Sequence, residues 1–336
     1  MQGIEMWAVQ EPRSNYDRVS RACVICSRSD GFRGFSFLGN VLVSIADLDD
    51  PAASTNQQLK TFMKLENSQL DKLESIARDA GAGILSVYES EDFNVQSKGD
   101  GSPLTRADRL AHEIIVAGLA ELTPEIPVVS EESAKEELDA RLSWDLFWLV
   151  DPLDGTKEFI KRNGEFTVNI ALVHRGCPVY GVVYAPVLNS CFCGGPEYGA
   201  WRVDGDDSVR QNIAVAGKTE GVMTVVASRS HRGEAVESFI EKLASRCGEP
   251  EVRSMGSSLK ICLVATGEAD VYPRLGPTCE WDTAAAHAVV LGAGGKVTNV
   301  CGEPLVYNKP NILNPWFLAF GAGDCEWTEF VPPSSE

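Results

Sequence analysis

Residues 148–156 read Trp-Leu-Val-Asp-Pro-Leu-Asp-Gly-Thr, an apolar run that leads into two aspartates. The run is short and continuous, and it predicts a buried strand. Because Pro152 has a fixed φ, the Asp-Pro-x-Asp pattern predicts a turn that starts at Asp151 and ends at Asp154. Two carboxylates would therefore converge at the end of this strand.

Two carboxylates in a partly buried place repel each other. At a separation of ~4 Å and a low effective dielectric constant, the repulsion amounts to several kcal/mol unless a positive charge lies between them. A divalent cation would supply that charge. A purely structural alternative is open at this point: Asp151 would start the turn, and Asp154 would cap a helix that begins at Thr156.

Acidic residues also follow a second predicted strand. Glu131 and Glu132 follow the apolar run at residues 126–129 after one serine, Ser130. The ends of adjacent strands can meet at one edge of a sheet, so a single pocket would hold both acidic ends; a solvated loop is the alternative for these glutamates. Asp108 belongs to a predicted capping box that starts with Thr105. Helix capping alone would explain why an aspartate stands at this position.

Asp282 stands at the start of an Ala-rich stretch at residues 283–291 that is predicted to be helical. It would cap that helix or share a metal ion with Asp154, and neither role excludes the other. Oxygen ligands without a convergent His or Cys favour a hard ion, above all Mg²⁺.

The charge balance excludes several classes of partner. The chain has 336 residues, with 30 Lys and Arg against 48 Asp and Glu, which gives a formal net charge of -18. Sequence-independent binding to nucleic acid or to an anionic membrane needs a basic surface, so neither is expected.

The apolar stretch at residues 35–46 is shorter than the ~20 residues of a membrane-spanning helix, and no secretory signal pattern opens the chain. We expect a cytoplasmic protein, and the sequence predicts no protein partner.

The residue pattern divides the chain into three segments. Residues 1–62 have no sustained helical or strand period and are expected to be an extension, either disordered or a start-site artefact. Residues 63–217 have the pattern of an α+β half that would bind metal, and residues 218–336 that of an α/β half that would bind substrate. Helices are predicted at 64–88, 106–121, 234–246, 257–266 and 283–291. Strands are predicted at 126–129, 146–150, 168–174, 178–185, 190–193, 199–203, 222–227, 269–272 and 296–300.

Three motifs together resemble those of a known superfamily: Ser-Glu-Glu-Ser at 130–133, Asp-Pro-Leu-Asp-Gly-Thr at 151–156 and Trp-Asp-Thr-Ala-Ala at 281–285. They are similar to the metal-dependent, lithium-inhibited phosphomonoesterases related to inositol monophosphatase and fructose-1,6-bisphosphatase. The resemblance covers residues 63 to about 325 in order, and it implies the layered αβαβα sandwich of that superfamily. Further stretches resemble its 3'(2'),5'-bisphosphate nucleotidase branch of the CysQ type; they lie at 100–108, 156–160, 228–231, 259–265 and 272–278.

The resemblance implies a site for two Mg²⁺ ions, or three. The positions that match the ligands of the first ion are Glu131, Asp151 and the carbonyl of Leu153. Those that match the ligands of the second ion are Asp151, Asp154 and Asp282. In such a site, metal ions generate hydroxide and stabilise charge on the attacking and leaving oxygens.

The resemblance also implies roles around the water and the substrate. Asp108, Glu131 and the hydroxyl of Thr156 would orient and deprotonate the attacking water. Gly155 and Thr156 would offer backbone N–H groups to the phosphate. The remaining positions that match substrate contacts are His231, Ser257, Lys260, Arg274 and Asp282. Ordinary surface charge is the alternative for the two cations.

The implied reaction is hydrolysis of adenosine 3',5'-bisphosphate to AMP and phosphate by in-line attack of an activated water, with lithium inhibition. The activated sulfate donor that carries the same 3'-phosphate, and 2'-phosphates, are expected as secondary substrates. One alternative is an inositol monophosphatase or inositol polyphosphate 1-phosphatase, which the stretch at residues 274–278 disfavours. An alternative of another class is a non-catalytic sensor of a phosphorylated metabolite, against which the presence of Asp108, Asp154 and Thr156 argues.

Overall fold

The structure is a computed structural model. It describes residues 64–90, 105–205, 209–217, 221–228, 233–323 and 325–333, and the backbone of four short strands at 35–38, 41–44, 96–97 and 103–104. The chain divides into two compact units, Met1–Lys64 and Leu65–Glu336. In the first unit, β1 (Phe35–Leu38) and β2 (Val41–Ser44) form an antiparallel pair. The sequence does not predict this pair, because strands of four residues are too short to show a sustained period. The rest of the extension expected at 1–62 lies outside the described residues.

Two amphipathic helices begin the second unit. Helix α1 (Asn67–Tyr88) buries one apolar face, and helix α2 (Arg106–Leu122) begins at the predicted capping box of Thr105 and Asp108. Two short strands, β3 (Gln96–Ser97) and β4 (Pro103–Leu104), pair between them. Both helices pack on one face of the first sheet. The predicted helices at 64–88 and 106–121 are confirmed.

The first sheet has seven strands in the order β11-β10-β9-β8-β7-β6-β5. The strands are β5 (Val128–Ser130), β6 (Leu146–Asp154), β7 (Thr167–His174), β8 (Cys177–Ala185), β9 (Ser190–Gly195), β10 (Gly199–Asp204) and β11 (Gln211–Asn212). All neighbours are antiparallel except β5 and β6, which run parallel. The carboxyl ends of β5 and β6 therefore meet at one edge of the sheet.

The second sheet has five strands in the order β13-β12-β14-β16-β15. The strands are β12 (Thr224–Ser228), β13 (Glu251–Met255), β14 (Val271–Arg274), β15 (Lys296–Asn299) and β16 (Phe317–Phe320). The helices of this half are α5 (Glu234–Cys247), α6 (Leu259–Ala265) and α7 (Ala284–Gly292). Short helices α3 (Lys135–Ala140) and α4 (Thr156–Ile160) flank the first sheet's strand β6 in sequence.

The sheets and helices stack in five layers. Helices α1 and α2 cover the outer face of the first sheet, α6 and α7 lie between the sheets, and α5 packs with Trp327 and Phe330 on the outer face of the second sheet. The predicted αβαβα sandwich is confirmed, while the division of function at residue 217 stays a prediction. Each helix in the described part of the chain is too short or too polar to traverse a lipid bilayer.

Helix α7 lies unusually close to the first sheet. A Cβ added to Gly181 on β8 would lie 2.1 Å from the carbonyl oxygen of Ala285, so this contact requires glycine. The small residues Ala284, Ala285 and Ala286 are buried at the start of the helix. The beginning of α7, where Asp282 stands, is thereby held against the central strands of the sheet.

Candidate active site

The strand β6 does not end in the predicted turn but continues through Asp154. Asp151 pairs with Asn169 and Asp154 with Thr167 on β7, so β6 contains one extra residue between the two pairs. The carboxylate of Asp151 accepts the N–H of Leu153 at 3.0 Å within this bulge. The prediction of a turn over Asp151–Asp154 is wrong, because the partner strand continues to pair. An extra residue reverses the alternation of side chains, and both carboxylates consequently lie on one face of the sheet.

Ser258, just before α6, joins the residues on this face. Its backbone N–H and its hydroxyl lie 2.6 Å and 2.8 Å from Oδ2 of Asp154, and Asn169 donates from Nδ2 to its hydroxyl at 2.9 Å. The same hydroxyl lies 2.6 Å from the backbone carbonyl of Asp282. Because Asp154 binds Ser258 and Gly155 is the N-cap of α4, the structural alternative of Asp154 as a helix cap is wrong.

Gly155 has a φ of 92°, in the left-handed region that favours glycine. This conformation turns the chain from β6 directly into α4 at Thr156. The hydroxyl of Thr156 donates back to the carbonyl of Leu153 at 3.4 Å. The motif is therefore compact, with the predicted metal-binding and phosphate-binding residues adjacent in space as well as in sequence.

Asp282 is close to Asp154 of β6: both line one cavity, and the hydroxyl of Ser258 contacts both residues. Its Oδ2 accepts the N–H of Cys279 at 2.9 Å, and Thr283 rather than Asp282 is the N-cap residue of α7, so the capping alternative is wrong. Burial raises the pKa of Asp282 well above its usual range, and the negative charges of Asp154 and Glu131 act in the same direction.

Glu131 leaves β5 beside the point where Asp151 occurs on β6. Ser130 pairs with Val150, and the N–H of Glu131 donates to the carbonyl of Val150 at 3.0 Å. The two acidic segments are adjacent, as predicted, while their sharing of a single pocket stays a prediction. Four carboxylates, from β5, β6 and the start of α7, thus come from distant parts of the chain to one edge of the first sheet.

Asp108 is 1% exposed and forms the predicted capping box. The backbone N–H and the hydroxyl of Thr105 donate to its Oδ2 at 2.7 Å and 2.5 Å. The N–H of Ala107 donates in turn to the hydroxyl of Thr105 at 3.2 Å. The structural role of Asp108 is confirmed, and its part in water activation stays a prediction.

Two adjoining cavities open beside the aspartates. The smaller, of about 130 Å³, is polar, and six of the residues predicted for the site line it: Asp154, Gly155, Ser257, Lys260, Arg274 and Asp282. The larger, of about 410 Å³, shares Ser228, Tyr272, Arg274, Thr278 and Asp282 with the first. His231 lies outside the described residues. Ser258, Glu158 and Lys157 also line these cavities. Lys157 and Glu158 lie within the recognised stretch at 156–160 but are not among the predicted site residues, and Ser258 lies just before the stretch at 259–265.

Lys260 is a buried cation in the smaller cavity. It is 8% exposed, so the alternative of ordinary surface charge is wrong. Its Nζ donates to the carbonyl of Ser257 at 2.5 Å and lies 5.7 Å from the ring centre of Tyr272. Burial lowers the pKa of Lys260 to about 8, although the charge of Asp154 opposes this shift.

Arg274, at the end of β14, lines both cavities. Its Nη2 donates to the carbonyl of Pro277 at 2.7 Å. Its Nε is buried and has no hydrogen-bond partner in the described part of the chain. A buried donor of this kind is costly unless a ligand accepts from it, so Arg274 is suited to an anionic substrate.

The donor set fits a hard divalent cation. Glu131, Asp151, Asp154 and Asp282 offer carboxylate oxygens, the ligands that Mg²⁺ prefers. Burial raises the pKa of Asp154, and a cation among these groups would offset the energy of gathering them. Within the described ranges, no three His, Cys, Asp or Glu side chains are arranged to hold a metal ion as they stand. Asp154 and Asp282 each direct one oxygen to a protein donor instead.

Comparison with known proteins assigns the family. The model of the inositol monophosphatase family matches residues 66–316. The chain belongs to the inositol monophosphatase family. The match spans the first sheet, four of the five strands of the second, the acidic strand ends and the start of α7, and it confirms the resemblance seen in the three motifs.

Relatives within this family include proteins named 3'(2'),5'-bisphosphate nucleotidase CysQ. The one from Escherichia coli O6:H1 is 49% identical over 250 residues, which are 74% of this chain and 98% of the relative. The one from Buchnera aphidicola is 43% identical over 274 residues, which are 78% of this chain and 98% of the relative. Among solved structures, CysQ from Bacteroides thetaiotaomicron is 46% identical with a TM-score of 0.68, covering 77% of this chain and 98% of its own.

Proposed function

We propose that this chain is a Mg²⁺-dependent 3'(2'),5'-bisphosphate nucleotidase that hydrolyses adenosine 3',5'-bisphosphate to AMP and phosphate. The enzyme class is supported by the CysQ relatives that bear this name, at 43% to 49% identity over 98% of their length. The activated sulfate donor with the same 3'-phosphate, and 2'-phosphates, are proposed as secondary substrates. The cytoplasmic location stays a prediction.

The pair of adjoining cavities is the observation that carries the choice of substrate. The smaller one combines carboxylates with Lys260 and would take the phosphate that is cleaved. The larger one is of the size of a small-ligand pocket, about 300–1,000 Å³, and it is walled by Val236, Pro273, Leu275, Pro277 and Leu313. Such walls suit a nucleobase, whereas an inositol ring carries hydroxyls around its whole edge and would leave them unpaired.

The positions of the cations support a substrate with two phosphates. Arg274 lines both cavities, and Lys157 lines the larger one. A guanidinium offers planar, bidentate donation to a phosphate. Lys260 lies deeper, beside Asp154, where it would neutralise part of the charge of the phosphate that is cleaved. A monophosphate would use fewer of these cations.

The metal ions would be held by Glu131, Asp151 and the carbonyl of Leu153 on one side and by Asp151, Asp154 and Asp282 on the other. When bound, Mg²⁺ lowers the pKa of a coordinated water and neutralises charge on the phosphoryl oxygens. The number of ions, two or three, stays a prediction.

The chain's own residues would align and deprotonate the water. The hydroxyl of Thr156 would orient it, and Asp108 and Glu131 would accept its proton. The water oxygen then bonds to phosphorus in line with the departing 3'-oxygen, the bond between phosphorus and that oxygen breaks, and a proton returns to the alcohol. Gly155 and Thr156 would hold the phosphate through their backbone N–H groups, and Ser257 and His231 are proposed as further substrate contacts.

A side-by-side assay tests this function. Phosphate release is measured with Mg²⁺ on adenosine 3',5'-bisphosphate, inositol 1-phosphate and inositol 1,4-bisphosphate. We expect kcat/KM to be highest for the nucleotide. A clear preference for either inositol phosphate would contradict the nucleotide assignment, and no turnover of any of them would favour a sensor.

A further inference from the structure

Glu280 is a buried carboxylate in the segment that carries Asp282. It is 0% exposed. Its Oε1 accepts the N–H of Lys309 at 3.0 Å and lies 2.5 Å from Nζ of the same lysine, and its Oε2 accepts the N–H of Asn308 at 2.7 Å. Both oxygens are engaged, and a buried charge that loses such partners is strongly penalised. The segment is therefore fastened to the loop at residues 307–314.

Asn314 fastens the same segment on both sides of Glu280. Its Nδ2 lies 2.7 Å from the carbonyl of Cys279, 3.0 Å from the hydroxyl of Thr283 and 3.2 Å from the hydroxyl of Thr278. Its backbone N–H donates to the carbonyl of Thr278 at 2.8 Å. We call Glu280, Asn308, Lys309 and Asn314 the loop clamp.

The carboxylate of Asp282 is oriented from within the clamped segment. Its Oδ2 accepts the N–H of Cys279, and the carbonyl of Cys279 is the shortest contact of the Asn314 amide. The position of Cys279 thus sets the direction of one oxygen of Asp282, and with it the direction of the other. Among the described residues that line the two cavities of the site, none belongs to the loop clamp.

We propose that Glu280, together with Lys309 and Asn314, is a positioning residue that orients the carboxylate of Asp282 toward a divalent cation. The inference rests on the proposed metal site. Groups that fix the orientation of a metal ligand without touching the metal typically contribute about 10- to 100-fold to metal affinity. The clamp would contribute in this way from outside the cavities.

The test compares metal affinity with stability in the Glu280→Gln variant. Glutamine keeps the shape of the side chain but replaces one acceptor oxygen with a donor, which would face either Lys309 or Asn308. Tb³⁺ binding is followed by its luminescence under excitation of the tryptophans, of which Trp281 is the neighbour of Asp282 in sequence, and Mg²⁺ is used to displace it, so that no substrate is needed. We expect the Mg²⁺ concentration for half-displacement to rise by about tenfold or more. In turnover assays, the KM for Mg²⁺ should rise by a similar factor while kcat at saturating Mg²⁺ changes less.

Asn314→Ala is the second variant. It tests the same inference if the Glu280→Gln variant does not fold. It removes the amide contacts of the clamp and leaves Glu280 in place, and the same direction of change is expected. Asp270→Asn is the matched control. Asp270 is 5% exposed and its Oδ2 accepts the N–H of Thr224 at 2.7 Å, but it lines a separate small cavity that shares no residue with the site. Its substitution should lower Tm without changing the affinity for Mg²⁺.

Two results would overturn the inference, and they are distinguishable. If the unsubstituted chain binds Tb³⁺ and Mg²⁺ but both clamp variants lower Tm with unchanged affinity, as the control does, then the clamp is structural only. If the unsubstituted chain binds neither ion, the proposed metal site fails and the positioning role fails with it.

Discussion

Replacement of Lys260 by methionine is expected to stabilise the fold at neutral pH while it weakens substrate binding. The lysine is buried, and its pKa falls from 10.5 to about 8. At about 1.36 kcal/mol per pKa unit, this shift corresponds to roughly 3 kcal/mol of unfavourable free energy for the charged form in the fold. Loss of the hydrogen bond to the carbonyl of Ser257 would offset about 1 kcal/mol of the gain. We therefore expect Lys260→Met to raise the free energy of unfolding by about 2 kcal/mol.

The pH dependence follows from the direction of the same shift. Because the pKa of Lys260 is lower in the folded chain, the unfolded chain binds more protons between about pH 8 and pH 10.5. The free energy of unfolding of the unsubstituted chain therefore rises with pH across this window. The cost of burying the charge is complete below about pH 8 and is relieved toward pH 10.5. Lys260→Met lacks this contribution, so the stability difference should shrink as the pH rises.

Urea unfolding of the metal-free protein measures both effects. Lys296→Met, at an exposed lysine on β15, is the control for the change in net charge, and its free energy of unfolding should differ little from that of the unsubstituted chain.

In kinetic assays, Lys260→Met should raise the KM for adenosine 3',5'-bisphosphate about 10- to 100-fold, the equivalent of one charge-assisted hydrogen bond. A variant that is less stable at neutral pH, or a stability difference that does not change with pH, would refute the reasoning.

Three further substitutions test other parts of the site. Asp154→Asn removes one carboxylate charge of the proposed metal site, so kcat should fall at least about 100-fold. It keeps an acceptor for Ser258 and removes repulsion toward Asp282, so stability in urea should not fall; full turnover would contradict a metal-binding role for Asp154. Gly181→Ala would place a Cβ 2.1 Å from the carbonyl oxygen of Ala285 and should cost about 1–3 kcal/mol of unfolding free energy; unchanged stability in urea would contradict the close approach of α7. Leu275→Asp, in the wall of the larger cavity, should raise the KM for the nucleotide more than that for inositol 1-phosphate, and equal effects on the two would argue against a base pocket.

The sequence predicts where the acidic groups occur but not how one strand presents two of them. The apolar runs before Glu131 and Asp151 predict two strands correctly, although β6 continues through Asp154 instead of ending at residue 150. The bulge between Asp151 and Asp154 is set by the register of β6 against Asn169 and Thr167, which lie outside the motif. Registers are tertiary properties, so no local pattern reveals that both carboxylates share one face.

Two strands of the second sheet are absent from the sequence prediction for different reasons. The strand β13 is largely exposed and lies at a sheet edge, so it has no apolar period, and backbone pairing with β12 holds it in place. The strand β16 is four apolar residues long, too short to distinguish a strand from a helical segment. Ser258 is a similar case, because its contacts with Asp154, Asn169 and Asp282 come from three other segments.

A crystal structure of the protein with Mg²⁺ and the products AMP and phosphate tests the central proposal most directly. We predict Mg²⁺ on the carboxylates of Glu131, Asp151, Asp154 and Asp282, phosphate beside Lys260, and the base in the larger cavity. Mg²⁺ bound elsewhere, or AMP outside both cavities, would contradict it.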